Sequence, residues 1–177
     1  LFGNAKDARQ ITEASDLLEM RHAVQAIEIH SAAVYHCELS LVAPWGPAVS
    51  AELSFAKDKL HEADVELKAM SFHLSSRFAT NVVHEGAFIG CGAPMQAQAM
   101  LTNASKNANL ARQLFPGVAL MVENNNHLGT DAYDVVTEPT FISELTLHTD
   151  TGMLLDVSHA RITAENVGMR DEEYLSA

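Results

Sequence analysis

The chain has 177 residues, of which 47% are apolar and 19% charged, a composition that excludes disorder and gives enough length for one domain with a real core. No apolar run reaches the ~18 residues that a membrane helix needs. The formal net charge is -12, with 11 Lys+Arg against 23 Asp+Glu, and this leaves little material for the basic face of a nucleic-acid binder. The two cysteines, Cys37 and Cys91, lie far apart without CxxC spacing, so a disulfide framework is not expected and a reducing, cytoplasmic setting is. The first residue is Leu1, which raises trimming or processing.

In chain order, "TEASDLLEMRHA" (12–23) reads as an amphipathic helix with Thr12 as N-cap. "VQAIEIHSA" follows as a short strand, 24–30. Pro44, Gly46 and Pro47 break the chain around Trp45. Residues 49–64 form a helix, with Leu53, Ala56, Leu60 and Ala63 at helical spacing, and 65–75 a second strand. The stretch "NVVHEGAFIGCGAP" reads as a glycine-containing loop. A long helix covers 94–114 and ends at Pro116-Gly117. The third strand is 118–124, a helix with Pro139 near its start covers 138–149, and "GMLLDVS" is the fourth strand. "MRDEEYLSA" opens a further helix.

These four strands are apolar runs that alternate with helices, the pattern of parallel strands covered on both faces. The fold class is therefore α/β, a single domain over 1–177. An open doubly wound sheet and a (β/α) barrel compete, and no Gly-rich dinucleotide fingerprint follows the first strand. A TIM-type barrel takes ~250 residues, so the chain is expected to supply about half of one.

Groups able to bind metal stand at the strand ends: Glu28 and His30, then His73, then Glu123 with three asparagines and His127, then Asp156 and His159. In a parallel barrel all strand C-termini open on one face, so residues distant in sequence would converge there. Carboxylate oxygen and neutral imidazole nitrogen are the usual ligands of Zn, Mn and Fe. A carboxylate at the end of an apolar strand is costly without compensation, which a divalent cation would supply. Plainer roles stand beside these. Asp156 could cap a helix or pair with Arg161, and Glu123 could pair with a lysine. His73 could be a satisfied core histidine, and the asparagines could form a turn or orient a ligand. His30, His84 and His127 have no role fixed by the sequence. His22, His61 and His148 fall on helices, facing outward, and Cys91 has no neighbouring base to activate it.

"SFHLSS", "LMVENNNH" and "LLDVSHARITAENVG", in this order, resemble the xylose-isomerase-like TIM-barrel superfamily. Within it they are most similar to the multinuclear non-haem iron-dependent oxidative enzymes. Barrel-type apurinic endonucleases share related strand ends. The likeness covers roughly residues 25–177. It implies two or three metal ions at the C-terminal mouth, with His73, Glu123, Asp156 and His159 as ligands. Iron is the metal it implies, with zinc or manganese as alternatives. The family's remaining ligands, a histidine, a further Asp/His pair and a final glutamate, lie on later strands than this sequence holds. The family also has two histidine-bearing strands before the glutamate, where one is read here. A strand hidden in 79–92, bringing His84, or a divergent branch would account for that.

The function the resemblance implies is an iron-dependent oxidative enzyme that modifies a peptide, often with a partner protein. The alternatives are a metal-dependent sugar isomerase or phosphodiester hydrolase, or a non-catalytic half-barrel completed by another chain. A peptide substrate, a partner protein and self-association are the candidate partners; nucleic acid and membrane are not.

Overall fold

A computed structural model describes residues 14, 18–21 and 32–176. The main sheet is five-stranded and wholly parallel, in the order β1 (Leu18–Met20), β2 (Ala32–Ser40), β3 (Glu66–His73), β6 (Ala119–Glu123), β7 (Gly152–Leu154). A separate antiparallel hairpin, β4 (Thr80–His84) and β5 (Ala87–Cys91), stands between β3 and β6 in sequence. The helices are α1 (Pro47–Glu62), α2 (Ala97–Leu114), α3 (Pro139–Thr149), α4 (Val157–Val167) and α5 (Asp171–Leu175).

Strand order follows chain order, without the reversal that marks a doubly wound sheet. All five strands therefore present their C-terminal ends on one edge. This α/β arrangement is consistent with part of a (β/α) barrel. In β3, Ala69 to Phe72 are buried in succession, as a strand covered on both faces should be. Leu53 and Leu60 of α1, Met100, Ala104 and Ala108 of α2, and Phe141 and Leu145 of α3 join Met70, Phe72 and Val122 in one core. The apolar spacing read from the sequence is what brings these helices onto the sheet. Asn107, buried in α2, donates to the carbonyls of Leu41 and Ala43, each at 2.8 Å, and fixes the chain leaving β2. Among the described residues no helix is long and apolar enough to cross a membrane.

Several expectations are corrected. Residues 18–20, expected within a helix, pair with β2 from Leu18↔Ala33 to Met20↔Tyr35; strand pairing outweighs a weak helical period. Ala14 is helical. The strand expected at 24–30, with Glu28 and His30, lies outside the described residues. β2, nine residues long, was not expected at all. The loop at 81–94 is mostly a hairpin, tightened at Glu85 (φ 49°) and Gly86 (φ 83°), two positive-φ positions that suit the turn twist of paired strands. The fourth strand stops at Leu154, and Asp156 already caps α4.

Candidate metal centre

Four of the strand-end residues proposed from sequence do converge, and a fifth joins them. His36, His73 and Glu123 place ligand atoms within 4.8 Å of one another, and so do Glu123, Asp156 and His159. Glu123 belongs to both sets. Register explains the meeting: His36 pairs with Ser71 beside His73, and His73 pairs with Glu123 across the β3–β6 ladder.

His36 is fully buried. Its Nε2 lies 2.8 Å from His73 Nε2, so one ring nitrogen carries the proton between them. Its Nδ1 lies 3.2 Å from Ser71 Oγ and 2.9 Å from Glu123 Oε2. Contact with Glu123 pushes His36 above the ordinary histidine range despite burial. Burial acts to raise Glu123, but His36 first, then the charges of His36, His73 and His159, outweigh it and hold the carboxyl below its usual value. Burial, then repulsion from His36, pushes His73 down.

On the other side, Asp156 Oδ1 accepts from the backbone N–H groups of Ser158 (2.7 Å) and His159 (2.9 Å), capping α4. Its Oδ2 stays on the site side, 3.7 Å from His159 Nε2. The capping and ligand readings are thus compatible, each using a different oxygen. Of the two plainer roles for Asp156 the cap forms and the pair with Arg161 does not; Arg161 lies against Asp171 at 3.4 Å. His159 Nδ1 donates to Asn124 O at 2.8 Å, which leaves the Nε2 lone pair for a ligand bond. Asn124 also clips Asp156, accepting from its N–H (2.8 Å) and donating to its carbonyl (2.9 Å). The asparagine after Glu123 is therefore an orienting group.

The donor set fits a divalent ion. Glu123 is 3% exposed, and among the described residues its Oε2 has one close partner, His36 Nδ1 at 2.9 Å; buried His73 Nδ1 completes no hydrogen bond. A buried carboxylate needs positive compensation, which the His36 ring supplies when protonated and a divalent cation would supply in its place. Mixed imidazole and carboxylate donors suit Zn, Mn and Fe.

The other candidates lie elsewhere. His84 is exposed at the hairpin turn. His127 Nδ1 accepts from Gly129 N at 3.2 Å, and its Nε2 lies 3.3 Å from Asp134 Oδ1, apart from both donor sets. His61 and His148 face outward on helices. Both cysteines are free, and burial pushes the Cys37 thiol up to about 12. A cavity of about 240 Å³ beside β7 is lined by Asn124, Ile142, Met153, Leu155 and Tyr174 and by none of the five donor residues. His36 lies on β2, a strand that the sequence pattern does not predict; the departure from two histidine-bearing strands is the signal that points to it.

The fold and site together define an α/β protein with histidine and carboxylate donors gathered at the C-terminal ends of parallel strands. The chain belongs to the MbnB/TglH/ChrH family, described as RiPP precursor modification enzymes, whose family model matches residues 18–177. Among curated proteins none matches. Two solved structures are similar in fold. One is the Paramecium bursaria Chlorella virus arginine decarboxylase, with TM-score 0.50, 12% identity, and coverage of 86% of this chain and 42% of that one. The same viral enzyme bound to agmatine gives TM-score 0.48, 10% identity, and coverage of 86% and 43%. The chain thus spans less than half the length of these structures.

Proposed function

We propose that this chain carries part of the metal centre of an enzyme that modifies a precursor peptide, within a xylose-isomerase-like barrel. The observation that carries this reading is Glu123, buried and shared by two donor triads. His36, His73 and Glu123 would hold one ion, and Glu123, Asp156 and His159 a second. Iron, when bound, supplies redox chemistry towards dioxygen, and this is the metal the reading assigns; the same donors would accept zinc or manganese.

The protein's own contribution is positional. β2, β3 and β6 are rigid posts, and Asn124 fixes both His159 and Asp156. Ser71 holds the His36 ring from behind. A peptide substrate, a partner protein, self-association and a cytoplasmic setting belong to the same reading.

The test is anaerobic loading of the full-length protein with Fe²⁺, followed by incubation with a candidate precursor peptide in air. A peptide mass change that requires both iron and dioxygen supports the proposal. A peptide unchanged by the iron form, together with sugar isomerisation or phosphodiester cleavage by a zinc or manganese form, would move the centre to the other chemistry.

A further inference from the structure

We infer that Glu38 is an additional ligand to the ion held by His36, His73 and Glu123, an inference that rests on the metal reading above. Its position comes from an irregularity in the sheet. β2 and β3 run in register through His36↔Ser71 and Cys37↔Phe72, and the next pair is Ser40↔His73. Glu38 and Leu39 are therefore extra residues on β2. Bulges of this kind redirect side chains and are common beside active sites.

The redirected carboxylate reaches both histidines. Glu38 Oε1 lies 3.9 Å from His36 Nε2, and Oε2 lies 3.8 Å from His73 Nε2. These are the two nitrogens that face each other at 2.8 Å. At 3.8–3.9 Å the carboxylate makes no hydrogen bond to either ring. Ligands that each stand ~2.1 Å from one ion are separated by roughly 3–4 Å, which is the spacing seen here. Among the described residues Glu38 has no other hydrogen bond or ion pair. Glu19, a further carboxylate near His36 at 4.0 Å, is different: its Oε1 is taken by Arg21 Nε at 2.9 Å.

Charge points the same way. Two neutral imidazoles and Glu123 bring one negative charge to a divalent ion, and Glu123 is shared with the second triad. Residual positive charge beside buried His36 is unfavourable in a low-dielectric surrounding. Glu38 supplies the missing negative charge. Its side chain is 61% exposed, against 33% for Asp156 and 4% for Glu123. Of these carboxylates it is the least confined, and so the one best able to leave the ion when a substrate needs a coordination position.

The experiment is a Co²⁺ titration of the metal-free full-length protein, read by visible absorption, for wild type, Glu38→Ala and Glu38→Gln. Circular dichroism and thermal melts without metal check that the variants fold, as an exposed position should allow. Both variants are expected to bind the ion at least ~10-fold more weakly, with an altered ligand-field spectrum, since even supporting groups around a metal contribute that much. Wild-type affinity and spectrum in both variants would overturn the inference while leaving the metal centre standing. Loss in Glu38→Ala with wild-type behaviour in Glu38→Gln would also overturn it, because an amide can replace a hydrogen bond but not the charge. A wild-type protein that binds no cobalt overturns the metal reading and this inference together.

Discussion

Asp156 serves two purposes through two oxygens, and substitution can separate them. Oδ1 accepts the N–H groups of Ser158 and His159 at 2.7 and 2.9 Å, while Oδ2 lies 3.7 Å from His159 Nε2. Serine caps a helix about as well as aspartate, and alanine does not, at a cost of about 1 kcal/mol. For a chain of this size that is a shift of roughly 2–4 °C in Tm. Asp156→Ala should therefore lose both this stability and one metal site. Asp156→Ser should lose the metal site and keep its Tm within ~1 °C of wild type. The assay is thermal unfolding of the metal-free proteins, paired with metal content after reconstitution. A serine variant as unstable as the alanine variant would show that the cap is not what Oδ1 provides. A serine variant with its full metal complement would remove Asp156 from the ligand set.

Glu123→Ala should empty both donor sets, whereas His36→Ala and His159→Ala should each remove one ion; elemental analysis of reconstituted, folded variants distinguishes these patterns. Asn107→Leu removes the donor to the Leu41 and Ala43 carbonyls and should cost about 1–3 kcal/mol in urea unfolding, mostly from the buried Leu41 carbonyl left unpaired, since the Ala43 carbonyl can reach water. In Gly90→Ala the new Cβ would stand 2.3 Å from the Phe78 ring, so about 1–3 kcal/mol of overpacking is expected. Adding Phe78→Leu should recover part of that loss, and hydrogen exchange in the β4–β5 hairpin reports it.

The parts of this molecule legible in the sequence are those where one physical signal dominates. α1, α2 and α3 show themselves through helical apolar spacing, and β3 and β6 through unbroken apolar runs. The residues ending those strands, His73 and Glu123, were found for the same reason, and Asp156 and His159 through their spacing after β7. β2 was different. It carries His36, Glu38 and Ser40 at every second position, which breaks the apolar run, and the run at 24–30 drew the strand assignment upstream. With β2 went His36 and the register shift that places Glu38. A bulge is a relation between two strands and leaves no mark in either one alone. The hairpin was hidden because Glu85-Gly86 is a weaker turn signal than Asn-Gly, and because β4 is largely exposed. α4 is hidden because Asp156 suits a helix cap and a ligand equally in sequence, and the cap is fixed only by its contacts with Ser158 and His159.

The most direct test of the central claim is the metal content of full-length protein purified without oxygen, measured by elemental mass spectrometry alongside Glu123→Ala. The shared carboxylate predicts at least two ions per chain in the wild type, iron among them, and none at these sites in the variant. A folded wild-type protein that holds no metal and takes up none on reconstitution would contradict the account, leaving the five converging side chains without the cation their burial calls for.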